Sequence, residues 1–557
     1  MKAPFGTGAL ATGGGRLRGQ ALLGSTRLRP QGYPESGAVG YARARAAALM
    51  GAVCGGLGGG ALGAGAADCA PRTLQVETPH DTHHSVVWTY DVNAEGPASG
   101  VLQIEARFAP GPSDALDIDA DATPFVRDAR YHADSGWQPL PRRGQAWRAP
   151  CHEARDGCWI RYSFALREAA TQIDDVETAI ASDGLLVAPP STWLLHPRVA
   201  AEGDRFRIRV TTDDGAQFAT ALAPSNPSAR TFDGATKILD QSSFAVFGRF
   251  DLAIIRSGEV PVQVATARST DEASAGPASG PTSGATAAPG HVERGMLSQD
   301  DVVAWVGRAV SGLSAYYGTF PVSNALVAVL PGQESETRGE TISGGGPAVV
   351  IRTAAGLTAK GTRDDWVVTH ELIHATLPSF GHIHAWLDEG IATYVEPIVR
   401  ARAGLLTVET FWRELVDGLP QGLPEANDQG LERTHTWGRT YWGGALFCLV
   451  ADVRIREATS GARSFDDVLR ALIAIPLDDS RTLDVTRFLE VGDRATGTSC
   501  LTDLYREMAL APGTIDLPSL WARLGVHRAP TGVGFDDAAP LAFVRGGITR
   551  PGHARSD

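Results

Sequence analysis

Residues 364–396 read DDWVVTHELIHATLPSFGHIHAWLDEGIATYVE, with His370, Glu371 and His374 in the order H-E-x-x-H. On a helix, positions 370 and 374 lie one turn apart on one face. Two imidazoles placed so can hold one zinc ion, with Glu371 beside the water that zinc polarises. Asp364 or Asp365 can cap the start of this helix and favour its positive end, and Pro378, Ser379 and Gly381 terminate it. A second helix is expected from near Ala385 through Glu389 and Glu396.

Zinc hydrolysis needs three protein ligands and an open position for water. Glu389, fifteen residues beyond His374 in Trp-Leu-Asp-Glu-Gly, supplies the missing oxygen if the second helix folds back on the first. His382 and His384 are the competing ligands. A histidine at position 380, as metzincin spacing requires, is absent, because that residue is Phe380. Glu371 is expected to take a proton from the attacking water and pass it to the leaving amine. Tyr441 and His435 are both candidate donors to the oxyanion. Asp388 either orients a ligand histidine or is solvated. Arg439 is read as the partner of a structural carboxylate.

Working outward, 557 residues with 43% hydrophobic content suffice for two or three packed domains. A net charge of -13 disfavours nucleic acid as a partner, since phosphate binding needs a concentrated basic surface. Residues 70–267 carry short alternating runs such as SVVWTYDV, GVLQIEARF, CWIRYSFAL, RFRIRVTT and VPVQVATA. They predict a β-rich, sandwich-like domain. Residues 268–293 are rich in Ser, Ala, Gly, Pro and Thr and read as a flexible linker. A catalytic domain is expected over 294–405, opening with a helix capped by Ser298 and Asp301 and continuing through the strands LVAVL and AVVIR. A helical region follows over 406–530, and residues 531–557 look irregular.

Residues 1–68 read as a leader and signal peptide. Arg43 and Arg45 precede the weakly apolar run AAALMGAVCGGLGGGALGAGAA, the pattern of an export signal. This predicts a periplasmic or extracellular protein with no stable membrane span after signal removal. An uncleaved anchor is the competing reading. Cys151 and Cys158 flank a short loop that can close as a disulfide hairpin, which fits export. Cys448 and Cys500 are a second pair that can bond. His80, His83 and His84 are read as an exposed polar loop.

The segments HELIH, WLDEGIATYVE and RTYWGGALFCLVADVRIREATSGARSFDDVLRAL together resemble the gluzincin metallopeptidases, in particular the glycyl aminopeptidase family. The resemblance covers about residues 298–525. It implies an α+β multidomain chain: a β-rich N-terminal domain, a thermolysin-like α+β zinc domain and a C-terminal helical region. It also implies His370, His374 and Glu389 as zinc ligands, Glu371 as general base, Tyr441 as transition-state donor, and a peptide or protein substrate. The spacer between His374 and Glu389 is shorter than in these relatives, which trims the loops around the cleft. Their Gly-rich substrate strand corresponds to residues 344–351, GGGPAVVI, placing Gly345, Gly346 and Ala348 against substrate. That strand ends in an acidic residue in the relatives. Here Glu340, a few residues earlier, is the available substitute. A zinc hydrolase of a non-peptide substrate and a catalytically retired binding protein on the same scaffold are the alternative functions.

Overall fold

The computed structural model describes residues 85–550, apart from 95–99, 111–112, 151–156, 183, 214, 227–229 and 269–296. The leader and signal, the histidines at 80, 83 and 84, and Cys151 lie outside the described residues. Among the described residues no helix is long and apolar enough to cross a membrane.

The N-terminal domain is built on an eight-stranded sheet. Its centre is Arg205–Thr212, Val86–Ala94, Leu102–Phe108 and Cys158–Phe164, four of the runs predicted from alternation. In Leu102–Phe108 every second side chain is buried, because strand side chains alternate between faces and only one face meets the core. Val86–Ala94 pairs parallel with Arg205–Thr212 and antiparallel with Leu102–Phe108. Two four-stranded sheets cover the inner face. One core takes Trp88 and Phe206 from the large sheet, Trp147 from one small sheet and Phe247 from the other. Cys158 is half of a disulfide, with its partner outside the described residues. Cys448 and Cys500 are free thiols, so that second pairing does not form.

The fifth predicted strand belongs elsewhere. Val260–Ala267 pairs antiparallel with Phe250–Ser257 and parallel with Ala325–Pro331. The hairpin is therefore part of a five-stranded sheet that continues through Ala348–Thr353 to the edge strand Arg338–Ile342. The expected boundary at 267/268 thus falls inside this sheet. The Ser-, Gly- and Pro-rich segment connects two elements of one domain, rather than two domains. Both faces of the sheet are covered. Val327 and Val329 face the helical core, while Leu326, Ala328 and Leu330 pack with Val187 and Phe244 of the N-terminal domain. Burial on two sides is why LVAVL is apolar throughout instead of alternating.

The helical face begins with Gln299–Tyr317, started by a reciprocal Ser298–Asp301 capping box. The histidine helix, Val367–Thr376, lies almost wholly buried between the sheet and the later helices. Asp365 Oδ1 accepts from Val367 N at 3.0 Å, satisfying one of the open N–H groups at that helix start. The Glu389 helix, Ala385–Arg402, follows. Helices Val408–Gly418, Gly444–Ala458 and Phe465–Ile473 appear where the sequence predicts them. Val485–Thr496 is a further helix, and the tail expected to be irregular contains the strand Gly532–Phe535 and the helix Ala542–Thr549. In that last helix Val544 and Ile548 are fully buried. Their one-turn spacing was masked by Gly546 and Gly547, which are poor helix formers.

Candidate metal centre

His370 and His374 project from one face of their helix, and Glu389 meets them from the next. His370 Nε2 and His374 Nε2 are 3.2 Å apart. Glu389 Oε2 lies 3.2 Å from the first and 3.5 Å from the second. Tetrahedral ligands about 2.0–2.1 Å from one zinc ion would stand roughly 3.3–3.4 Å from each other. The three donor atoms therefore match the edges of such a tetrahedron, and two imidazoles with one carboxylate form a recognised zinc donor set. The residues fit the ion. Among the described residues these three are the one His/Cys/Asp/Glu group with metal-holding geometry.

The three groups interact strongly through their charges. Burial opposes the Glu389 charge, but the His374 and His370 imidazoles outweigh burial and hold the carboxyl well below its usual range. Burial likewise opposes a charged His374, and Glu389 overrides it, lifting His374 to about 9. Packing fixes the His370 ring. Trp366 stacks edge-on at 5.3 Å between centroids, while His370 Nδ1 has no hydrogen-bond partner among the described residues.

Glu371, buried beside the trio, is held by the edge strand. Thr341 Oγ1 donates to Glu371 Oε2 at 2.7 Å and to the Glu371 carbonyl at 3.1 Å. Two residues earlier on the same strand, a Cβ at Gly339 would sit 2.3 Å from Glu371 Cγ. Only glycine lets the strand approach the carboxylate this closely.

Tyr441 lies in a single π-helical turn, Arg439–Gly443, leading into Gly444–Ala458. Such turns re-aim one residue within a helix. A close crossing brings it to His370, His374 and Glu389: a Cβ at Gly390 would fall 2.4 Å from Gly444 Cα. Since Gly390 follows Glu389, backbone contact there sets Tyr441 against the Glu389 carboxylate. Burial first, then the charges of Glu389, Glu371 and Glu340, raise the Tyr441 hydroxyl well above its ordinary range. It thus remains a proton-bearing donor. Trp437 lies against its ring at 5.8 Å.

The remaining candidates are accounted for. His435 is exposed on the loop before this turn. Arg439 pairs with the buried Asp428 at 2.8 Å, a structural carboxylate as expected. His384 Nδ1 is taken by Glu432 at 2.8 Å, and His382 is exposed. Asp388 is half-buried, and its carboxylate bonds to backbone and not to His370 or His374. Both its oxygens accept from Phe380 N at 3.2 Å, closing the turn between the two ligand helices.

Gly345, Gly346 and Ala348 are not at the site. Ala348 is in a strand paired on both sides, with Leu326 and with Ile342, so its backbone has no edge to offer a peptide. Gly345 and Gly346 pack on Leu222 and Ala221 of the N-terminal domain, and Gly345 N donates to Asp479 O. The strand beside the metal ligands is Arg338–Ile342, whose outer edge is unpaired within the sheet.

That strand also carries Glu340. Burial first, then the charges of Glu371, Glu177 and Glu389, push its carboxyl well above the ordinary range. Glu177 comes from the N-terminal domain and went unnoticed in the sequence. No local motif marks it, because domain packing alone brings it here.

No protein-family model matches the sequence, and no curated protein matches it. Solved structures do match the fold. An M1 zinc metallopeptidase from Deinococcus radiodurans aligns over 77% of this chain and 96% of its own, at 15% identity and a TM-score of 0.44. An aminopeptidase N family protein from Idiomarina loihiensis aligns over 79% of this chain and 78% of its own, at 10% identity and a TM-score of 0.56. At that identity the likeness is one of architecture: this chain has the fold of an aminopeptidase N family protein, with a β-rich N-terminal part, a mixed α/β middle and a helical C-terminal part.

Proposed function

We propose that the protein is an exported zinc-dependent peptidase of gluzincin type, removing residues from the free N-terminus of peptides. The observation that carries this reading is the convergence of His370 Nε2, His374 Nε2 and Glu389 Oε2 within 3.5 Å of one another, with Glu371 alongside. The leader sequence supports export. The neighbouring fold supports a peptidase.

His370, His374 and Glu389 would hold the zinc ion, which when bound would supply Lewis acidity and an activated water. Glu371 accepts the proton of the attacking water and returns it to the leaving nitrogen. Thr341 keeps the receiving oxygen in place. The Tyr441 hydroxyl donates to the oxygen on which negative charge develops. An extended peptide adds to the open edge of Arg338–Ile342 by backbone hydrogen bonds. Glu340 and Glu177 then face the first residue. A protonated α-amine between these carboxylates relieves their mutual repulsion, which an internal peptide segment cannot do.

The test combines metal content with hydrolysis. Full-length protein is assayed on peptides with free or acetylated N-termini, with and without a zinc chelator, beside Glu389→Ala. We expect about one zinc per chain, chelator-sensitive release of N-terminal residues, and loss of both metal and turnover in the variant. Unchanged zinc affinity in Glu389→Ala removes Glu389 from the ligand set. A zinc-loaded protein that cleaves no peptide moves the assignment to a non-peptide substrate or a retired scaffold.

A further inference from the structure

A cavity of about 280 Å³ opens beneath the C-terminal end of the histidine helix, away from the metal ligands. Its walls include Phe320, Val322, Ile473 and Ile475, with Ser323, Thr376 and Arg481 as polar residues. Arg481 Nη2 donates to the Ala375 carbonyl at 3.2 Å. Among the described residues its buried Nε has no hydrogen-bond partner and no carboxylate pairs with the guanidinium. Burial lowers its pKa, with no acidic neighbour to offset that.

The acids in the same turn are occupied elsewhere. Asp478 holds Lys237 at 2.6 Å, and Asp479 holds Arg205 at 3.2 Å and Ala235 N at 3.0 Å. Arg481 itself takes a φ of 52°, a left-handed conformation that is costly for a residue with a side chain. The turn holds that conformation through Ser379 N to Arg481 O and Leu483 N to Ser379 O, both 2.9 Å. Capping the histidine helix uses one of five guanidinium N–H donors. A guanidinium that lines a half-open cleft without a carboxylate partner among the described residues is a recognition element for an anion, and Phe320, Val322, Ile473 and Ile475 beside it offer apolar contact to the rest of such a ligand.

We propose that this cavity binds a small organic monocarboxylate, its carboxylate on Arg481 and its hydrocarbon part against Phe320, Ile473 and Ile475. The volume, at the lower end for ligand pockets, suits a body of about ten non-hydrogen atoms. A doubly charged anion would bring a second charge with no cation to meet it. A neutral ligand would leave the guanidinium unpaired. The occupant shares Arg481 with the Ala375 carbonyl, next to His374, so binding bears on the end of the histidine helix. This inference does not depend on the peptidase reading.

The test is calorimetric titration of the full chain with benzoate and hexanoate, alongside benzamide and hexanol as neutral counterparts. We expect both acids to bind with Kd at or below about 1 mM and the neutral molecules at least tenfold more weakly. Arg481→Met should weaken the acids at least tenfold, and Arg481→Lys less. Ile475→Trp, which keeps Arg481 and its helix cap but fills the cavity, should abolish binding even if Arg481→Met folds poorly. Equal binding of acid and neutral pairs, or unaltered binding in Ile475→Trp, overturns the proposal. Sulfate binding as tightly as hexanoate overturns the monocarboxylate class. Tighter binding of N-acetyl-Gly-Phe than of benzoate shows a peptide C-terminus, not a free small acid, to be the occupant and overturns that assignment.

Discussion

The single Thr341 Oγ1 proton lies between two Glu371 oxygens, the carboxylate at 2.7 Å and the backbone carbonyl at 3.1 Å. The edge strand and the histidine helix are thereby locked in register at the residue proposed to move the proton. A hydrogen bond to a charged group is worth about 1.5–3 kcal/mol, which as positioning corresponds to roughly 10–100-fold in rate. Thr341→Val should lower kcat by about that factor while leaving zinc content and KM nearly unchanged. Thr341→Ser should recover most of the loss. Steady-state kinetics with metal analysis check this, and a change confined to KM would contradict a positioning role.

Glu371→Gln keeps the shape of the side chain and removes its basicity. Zinc stoichiometry should stay at the wild-type level, since Glu371 is not among the three converging donors. Turnover should fall by about 10²–10⁴. Full activity in a zinc-loaded Glu371→Gln protein would assign the base elsewhere. Gly339→Ala offers an independent route to the same carboxylate. Its Cβ meets Glu371 Cγ at 2.3 Å, so activity should drop without loss of the zinc ligands, as the metal content will tell.

The convergence of His370, His374 and Glu389 was legible in the sequence because helix geometry is local. Positions 370 and 374 must share a face, and WLDEG must start a returning helix once Pro378 and Gly381 end the first. The N-terminal strands were legible for the same reason, through alternation. What was not legible depends on pairing between distant segments. AVVIR at 348–352 read as a strand, but RGETI at 338–342 did not, and its place as the sheet edge is set by the pairing of 348–353 with Ala325–Pro331 on the other side. The glycines at 344–346 suggested a backbone approaching substrate. They instead accommodate the N-terminal domain at Leu222 and Ala221. Glu177 reaches the site only through domain packing, which no spacing rule encodes.

Glu340 and Glu177 make the N-terminal specificity testable apart from the chemistry. Neutralising either as glutamine should reduce kcat/KM for a free-amine peptide by about tenfold or more, the value of one charged contact. The N-acetylated counterpart should be little affected or improve, because it brings no cation. The ratio of the two substrates is the measurement. A parallel loss on both would place these carboxylates outside amine recognition.

A last prediction concerns stability and comes from the buried pair on the Glu389 helix. Glu396 lies 3.0 Å from Arg400. Burial, aided by the charge of Glu414, outweighs Arg400 and raises the Glu396 carboxyl from 4.5 to about 7. Asp365, raised to about 6 mainly by burial, acts in the same sense. A carboxyl with a folded-state pKa above its unfolded value binds more protons when folded. Its contribution is therefore fully present below the unfolded pKa and is lost as pH rises through the folded one. For Glu396 the window runs from 4.5 to about 7, and the loss is on the order of 3 kcal/mol at about 1.4 kcal/mol per pKa unit. Glu396→Gln cannot ionise and should show a shallower fall in Tm between roughly pH 5 and 7.5 than wild type, the two converging at the acid end. Thermal melts across that range decide the matter: identical slopes would show that Glu396 titrates normally in the folded protein, and a steeper fall in the variant would reverse the sign.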